Sequence, residues 1–226
     1  MLLLVRVAEL FELGALDPNS ILSKSADTKV ADSGIWQHLS VKNLSVSDLA
    51  IFVGAFSDNW ATNVLLRSVQ ITSVNEVAAR LELDSFRMLD EVRDVRVLDD
   101  EPYLSHGTMR DIATLMTKIS SDECLHPGVG RQVATWLSLG MDLSMVAGAF
   151  GLDPLSHAMP DRGVSLFNKT GTDPGVRVDT GVVDCGRGAI AYACAVNWLE
   201  ADIVSRDRLL DAMNQIGSAI RVFASS

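Results

Sequence analysis

The chain has 226 residues, of which 48% are hydrophobic and 21% charged, a composition that supplies a sizeable core and argues against disorder. Its formal net charge of −10 argues against nonspecific binding to nucleic acid or to an anionic membrane surface. No apolar run has the length of a bilayer span, so the sequence predicts no transmembrane helix.

Residues 1–14 predict a helix that is buried on most sides. Arg6, Glu9 and Glu12 recur every three residues as a narrow polar stripe, and the other positions are mostly apolar. Gly14 is a suitable end for the helix, but no capping residue precedes its start. No small-residue cleavage site follows cleanly, so no signal peptide is visible. We therefore expect the chain to begin inside the helical pattern of a longer protein.

The next stretch predicts a loop followed by three short helices. Residues 17–45 are mostly polar and predict loop with short extended pieces. The helices are predicted at 46–55, with Ser45 or Ser47 as the cap, at 61–69, and at 73–83, with a capping box formed by Ser73 and Glu76.

Residues 84–106 are rich in Asp, Glu and Arg, have weak periodicity, and predict a long loop. A loop of that length inside a compact domain is usually functional. Three further helices are predicted after it, at 109–119 with Thr108 as the cap, near 128–138, and at 141–149.

The last section of the chain changes from helical to strand periodicity. Short β-prone runs at 164–168, 176–183 and 189–198 are separated by the turn-like sequences Gly-Thr-Asp-Pro-Gly and Cys-Gly-Arg-Gly. They predict a three-stranded antiparallel meander, which an amphipathic helix at 206–223 would cover. The sequence thus predicts one α+β domain over 1–226, with a helical part at about 46–150 and the sheet with its closing helix at about 164–226.

The cysteines and histidines indicate neither disulfides nor a metal. Cys185 and Cys194 fall on neighbouring predicted strands but out of register for a bridge, so we expect these two and Cys124 to be buried free thiols. The four histidines, at 38, 106, 126 and 157, have no metal-ligand spacing. We expect no metal and no cofactor.

Two short motifs carry the chemistry. Ser57-Asp58-Asn59 lies between two predicted helices, and Lys169-Thr170-Gly171-Thr172 lies between two predicted strands. Each motif alone is weak evidence, because such residues are common in helix caps and turns. In this order and context they resemble two of the three active-site elements of the penicillin-recognising serine hydrolases, which include class A β-lactamases and penicillin-binding proteins.

The third element of that family, Ser-x-x-Lys, does not occur anywhere in these 226 residues. In the family it holds the nucleophile and opens the central helix, directly ahead of an apolar run like the one at 1–7. The resemblance therefore implies that this chain begins just after the nucleophile and lacks the preceding strands. The remaining sheet would then have an exposed edge, through which the chain could pair with another chain.

The resemblance also implies roles for individual residues. Ser57 would relay a proton to the leaving nitrogen, Asn59 would bind a substrate amide, and Lys169 would place positive charge near both Ser57 and a substrate carboxylate. The substrate carboxylate would also meet the hydroxyls of Thr170 and Thr172, while Gly171 would let substrate backbone approach the strand. Arg177, on the next strand, is a candidate second contact to the carboxylate or simply a residue of the sheet surface.

The loop at 84–106 departs from the family. Class A β-lactamases carry Glu-x-x-Leu-Asn in the corresponding loop, where the Glu activates the deacylating water, and this chain has no such motif. Among its carboxylates, Asp99 to Glu101 are the candidates for that role, and a solvated acidic loop is the alternative.

Three functions remain open on the sequence. The first is hydrolysis of a β-lactam or similar carboxylate-bearing amide through an acyl-enzyme, an activity that we expect this chain alone to lack. The second is a D-alanyl-D-alanine peptidase or an esterase, which the missing Glu-x-x-Leu-Asn favours. The third is a non-catalytic binding relative. The resemblance implies a periplasmic or secreted protein. A large distance between Ser57 and Lys169 would contradict the family assignment.

Overall fold

The computed structural model describes residues 1–199 and 206–225. Its first element is helix α1, Leu2–Glu12, which is apolar on nearly every side and is buried from Leu2 to Val5 and at Val7 and Ala8. Glu9 is also fully buried, where it forms ion pairs at 2.6 Å with Arg6 and with Arg80. Part of the predicted polar stripe is therefore an internal ion-pair cluster, which ties α1 to a later helix.

Five further helices make up the helical part, and their ranges are α2 at Val46–Phe56, α3 at Asn59–Val69, α4 at Ile71–Arg80, α5 at Met109–Ser120 and α6 at Val129–Leu137. Helices α2, α3, α4 and α6 contact α1, and α5 packs on α6. Ser45 caps α2 by accepting from the Asp48 backbone N–H at 3.0 Å. Thr108 caps α5 by accepting from the Asp111 backbone N–H at 3.2 Å. Thr108 is the cap predicted from the sequence, and of the two candidates Ser45 and Ser47 the structure selects Ser45.

The prediction for α4 was wrong at both ends. The helix begins at Ile71 after Gln70, whose φ is 66°, and Ser73 is already inside the first turn. The Ser73 hydroxyl donates to the Gln70 carbonyl at 3.0 Å, so Ser73 does not cap the helix and the predicted capping box is absent. Helix α3 likewise starts two residues earlier than predicted, because Asp58 caps it.

The prediction of a helix at 141–149 is also wrong. The structure has a turn followed by a short 3-10 helix at Val146–Phe150. The Asp142 carboxylate accepts from the Ser144 backbone N–H at 3.0 Å, and the Ala147 N–H donates to the Asp179 carboxylate at 3.0 Å. These two bonds take backbone donors that a helix would otherwise use.

Two small antiparallel pairs organise the loops. Strands β1, Ile21–Ser23, and β2, Asn43–Ser45, close the segment between α1 and α2. Strands β3, Arg87–Met88, and β4, Ser105–His106, close the base of the long loop at 84–106. The prediction of loop with short extended pieces at 17–45 is therefore confirmed. The predicted long loop at 84–106 is also found, but the two short strands that close its base were not predicted.

The main sheet is the predicted antiparallel meander, with strands β5 at Ser165–Asp173, β6 at Val176–Asp184 and β7 at Ala189–Asn197. Strand β5 continues five residues past its predicted end, through the whole Lys-Thr-Gly-Thr motif. The turn is tighter than predicted, because Pro174 and Gly175, with φ 75° at the glycine, reverse the chain directly. β5 and β7 are the outer strands of this sheet.

One face of the main sheet packs on the helical part of the protein, and the other face packs on the C-terminal helix. Phe167, Val182 and Ala191 lie opposite one another and join the core of the helical part. On the other face, Val183 and Tyr192 pack against the 3-10 helix and against α7, Arg206–Ser225. This arrangement confirms the predicted α+β class with helices covering an antiparallel sheet. The sheet region predicted at about 164–226 includes 200–205 and 226, which lie outside the described residues.

The cysteines are free thiols, as predicted, but only Cys124 is buried, and Cys185 and Cys194 are half-buried. The register pairs Cys194 with Asp179 across β6 and β7. Among the described helices, none combines the length and apolarity needed to cross a bilayer.

Candidate functional site

The Ser-Asp-Asn motif forms the tight turn between α2 and α3. Ser57 ends α2 in the left-handed conformation, with φ 50° and ψ 39°. Asp58 is buried, and its carboxylate accepts from the Ala61 N–H at 2.9 Å and from the Trp36 N–H at 2.7 Å. Asp58 is thus the structural member of the motif, since it caps α3 and anchors the loop before β2. A non-glycine residue in the left-handed region is strained, and strain of this kind is common at functional sites.

Lys169 reaches this turn from the helix-facing side of β5. Its Nζ donates to the Ser57 Oγ and, at 2.8 Å, to the Thr170 carbonyl. The structure therefore brings together the two residues that the sequence predicted as catalytic, although they lie 112 positions apart. The long distance that would have contradicted the family assignment is not found.

The surroundings of Lys169 reduce its affinity for a proton. Burial lowers the pKa of the Lys169 ammonium from 10.5 to about 8, while the negative charges of Asp142 and Asp179 work in the opposite direction. The amine of Met1, at the start of α1, is also buried, and the Lys169 charge contributes to lowering its pKa to about 5. The start of α1, the Ser57 turn and β5 thus converge on one half-buried place, where Lys169 supplies the positive charge.

Asn59 lies beside this place, but its side chain is already engaged. Its Nδ2 donates to the Ala31 carbonyl at 3.1 Å, and its backbone N–H donates to the Ser33 carbonyl at 3.1 Å. Both contacts hold the segment before the 3-10 turn at Trp36–His38 against the start of α3. The predicted role in binding a substrate amide would require the Asn59 side chain to use its oxygen or to exchange the Ala31 contact.

The remaining predicted residues divide between the two faces of the sheet. Alternation along β5 puts Lys169 and Gly171 on the helix-facing side, and Thr170 and Thr172 on the other side. Thr172 lies directly opposite Arg177 of β6. The Arg177 guanidinium donates to the Val176 carbonyl at 2.8 Å and lies 5.7 Å from the centre of the Trp198 ring. Arg177 therefore lies near the start of β6, opposite the end of the motif strand β5, and its guanidinium contacts the β5–β6 turn.

The long loop reaches the site through Asn63, which the sequence analysis did not single out. Asn63 lies one helical turn beyond Asn59 on α3. Its side chain accepts from the Val92 N–H at 2.8 Å and donates to the Val92 carbonyl at 2.9 Å. A buried Asn on an apolar helix face was the available signal, since such an amide needs backbone partners.

The carboxylates of this loop are mostly engaged with other groups. Asp90 accepts from Arg93 at 2.6 Å and from Arg96 at 2.7 Å, and Glu91 accepts from Arg67 at 2.7 Å. Of the three candidates for the deacylating base, Asp99 and Glu101 are exposed, and Asp100 accepts from the Val97 N–H of its own loop at 2.8 Å.

Comparison with known proteins supports one family. The family model described as the beta-lactamase enzyme family matches residues 1–223. A β-lactamase from Sphaerobacter thermophilus has a TM-score of 0.83 at 19% identity, with 99% of this chain and 80% of that chain covered. No curated protein matched the chain.

Two further solved structures have the same fold. A mutant of PBP-A, solved as an acyl-enzyme complex with penicillin G, has a TM-score of 0.79 at 20% identity, with 100% of this chain and 80% of that chain covered. An ancestral class A β-lactamase also has a TM-score of 0.79, at 18% identity, with 98% and 82% covered.

Proposed function

This chain belongs to the beta-lactamase enzyme family, and from that premise we propose that the protein opens a β-lactam or a related carboxylate-bearing amide through an acyl-enzyme. The observation that carries the proposal is the contact between the Lys169 Nζ and the Ser57 Oγ in a half-buried setting. Because the Lys169 ammonium donates to the Ser57 oxygen, the Ser57 hydroxyl does not use its own proton in this contact and can donate it to a substrate.

The proposed chemistry has two steps. A serine hydroxyl oxygen bonds to the amide carbonyl carbon and gives its proton to a base beside it, the C–N bond breaks, and the leaving nitrogen takes a proton from Ser57. The proton held by that base then replaces the Ser57 proton, so one proton moves overall from the attacking serine to the leaving nitrogen, while Lys169 stays protonated and donates to the Ser57 oxygen. Water then attacks the resulting ester and restores the serine hydroxyl. Lys169 also attracts the substrate carboxylate. Thr170, Thr172 and Arg177 lie on the other face of the sheet, so they would meet that carboxylate only where it reaches around the outer strand β5.

The nucleophile is the part that these 226 residues do not contain, because no Ser-x-x-Lys occurs in them. The Met1 amine at the start of α1 is buried within electrostatic reach of Lys169. A Ser-x-x-Lys directly ahead of α1 would therefore be adjacent to Ser57 and Lys169. We infer that the 226-residue chain alone does not turn over substrate.

The loop carboxylates favour slow deacylation, and hence the alternative of a penicillin-binding peptidase. Asp90 and Glu91 are neutralised by arginines, and the backbone of Val92 is the part of the loop fixed to Asn63. A carboxylate that activates water must be close to the ester and free to accept a proton. An acyl-enzyme that forms quickly and persists would support the peptidase, and rapid release would support the β-lactamase.

The test compares nitrocefin hydrolysis by the 226-residue chain and by a form extended upstream through a Ser-x-x-Lys. We expect turnover or a stoichiometric burst only in the extended form. In that form Ser57→Ala should reduce acylation by about 10²–10⁴-fold, the range for a lost general acid–base group. Ser68→Ala, on the exposed side of α3, is the matched control.

Hydrolysis by the 226-residue chain would contradict the proposed nucleophile. A wild-type rate in the extended Ser57→Ala variant would remove Ser57 from the mechanism. Failure of both forms to acylate, with ligand binding retained, would favour a non-catalytic binding protein. The lifetime of the penicillin-labelled protein, followed by mass spectrometry, separates the β-lactamase from the peptidase.

A further inference from the structure

We propose that Asp179 is a positioning residue for Lys169, a buried negative charge on the opposite face of the sheet that keeps the Lys169 ammonium protonated and free to donate to Ser57. This inference rests on the proposed function in so far as Lys169 is the group that faces Ser57 and the substrate carboxylate.

The hydrogen-bond partners of the Asp179 carboxylate favour its ionised form. Its side chain is fully buried on β6. It accepts from the Asn168 amide at 3.0 Å, from the Ala147 N–H at 3.0 Å and from the Tyr192 hydroxyl at 3.2 Å. All three partners donate, and an ionised carboxylate, which only accepts, matches such a donor set. Burial raises the pKa of Asp179, and these hydrogen bonds oppose that rise.

The sheet prevents direct contact between the Asp179 carboxylate and the Lys169 amine, although the two residues lie on neighbouring strands. Asp179 lies opposite Thr170, whereas Lys169 lies opposite Thr180, so the two charged side chains project from opposite faces. A direct salt bridge would occupy the Nζ donors that Ser57 and a substrate carboxylate need. A carboxylate on the other face stabilises the same charge through the low-dielectric interior without occupying any donor.

The other titratable groups around the pair are few. Asp142 lies on the segment before the 3-10 helix and contributes a second negative charge to Lys169. The Tyr192 hydroxyl keeps its proton, because burial and the Asp179 charge raise its pKa well above 10. Burial and the same charge raise the pKa of the Cys194 thiol. The Met1 amine, with its pKa near 5, is neutral at pH 7.

A purely structural role is the competing explanation, since the Asp179 network joins β5, β6, β7 and the 3-10 helix. Tyr192→Phe separates the two roles. It removes one hydrogen bond from the network and leaves the carboxylate charge in place, whereas Asp179→Asn removes the charge and approximately retains the shape.

The experiment is a titration of Lys169 by NMR of its side-chain ¹³Cε and ¹⁵Nζ in the 226-residue chain. We expect Asp179→Asn to lower the Lys169 pKa from about 8 by roughly one unit, the lower end of the effect of a nearby opposite charge. We expect Tyr192→Phe to leave that pKa within about 0.3 units. Equal pKa values in wild type and Asp179→Asn would overturn the proposal.

A second measurement covers the case in which Asp179→Asn does not fold. The ¹³Cγ shift of Asp179 in the wild-type chain reports its ionisation directly. An ionised carboxylate at pH 7 supports the proposal, and a protonated one overturns it. Neither titration needs turnover, so a failure of nitrocefin hydrolysis would count against the proposed function and would leave these results unaffected.

Discussion

Gly171 and Gly181 lie on neighbouring strands of the main sheet, and packing constrains only one of them. A Cβ at Gly181 would come within 2.7 Å of both the Phe167 carbonyl and the Tyr192 hydroxyl. At Gly171 it would come no closer than 3.6 Å to any atom outside its chain neighbours, the nearest being Val178 Cβ. The protein's own packing therefore does not explain Gly171, whereas close approach of a substrate would.

Gly171→Ala should separate stability from function. We expect the free energy of unfolding to rise by about 0.5–1 kcal/mol, because glycine is unfavourable inside a strand. Acylation of the extended form should fall at least about tenfold if substrate backbone approaches there. Urea unfolding and nitrocefin kinetics measure the two effects.

Gly181→Ala is the matched comparison on the adjacent strand. It should lower the free energy of unfolding by about 1–3 kcal/mol, because the added methyl overpacks the sheet. Unchanged acylation in a stably folded Gly171→Ala variant would rule out the proposed approach of substrate to this strand.

At the scale of elements, one buried carboxylate, Asp90, organises the inside of the loop between β3 and β4. The hydrogen bond from Arg93 lowers the pKa of Asp90 to about 2 against the opposing effect of burial, and Arg96 adds a second bond. A lowered pKa means that this stabilisation is present above about pH 4 and disappears as the pH falls toward 2. The loop is thus a charge-organised element rather than a hydrophobic one.

Asp90→Asn should loosen this loop. We expect a loss of about 2 kcal/mol at pH 7, the value that corresponds to the lowered pKa. Trypsin should then cleave faster after Arg93 and Arg96, whose side chains lose their charged partner. Limited proteolysis followed by mass spectrometry measures this effect, and Asp99→Asn, at an exposed position of the same loop, is the control.

The dependence on pH gives a second check on Asp90. Wild type and Asp90→Asn should converge in stability as the pH falls through 2, because Asp90 then becomes protonated in the folded chain as well as in the unfolded chain. A difference that stays constant from pH 7 to pH 2 would show that the lost contribution is not the Asp90 charge.

At the scale of the whole molecule, the contact between α7 and the 3-10 helix fastens the C-terminal helix over the sheet. Gly217 lies at this contact, and a Cβ there would meet the Val146 carbonyl at 2.1 Å and the Ala149 Cβ at 2.8 Å. The two elements approach this closely only because the position carries no side chain.

Gly217→Ala therefore tests tertiary packing against helix propensity. Propensity alone predicts a gain of about 1 kcal/mol, whereas the close contact predicts a net loss of about 1–3 kcal/mol. Ser218→Ala, at the neighbouring exposed position, should be neutral or slightly stabilising. Thermal unfolding of the two variants distinguishes the predictions, and a more stable Gly217→Ala variant would contradict the packing argument.

Local signals in the sequence predicted most of the elements. Ser45 and Thr108 identified helix starts, because their partners lie three residues away. The signals failed at 141–149, where the Ala147 N–H pairs with Asp179 from a distant strand. They also failed at Gln70, whose positive φ no local pattern indicated.

The sequence by itself determined the α+β class, the strand order and the two motifs, since periodicity, caps and turns are local properties of the chain. Only the tertiary structure decided that Lys169 meets Ser57, that Asn63 holds Val92, and that Asp179 lies beneath the site. Those contacts join residues from separate elements, so they depend on how helices and sheet pack together. The charge of a buried group likewise depends on neighbours that packing alone supplies.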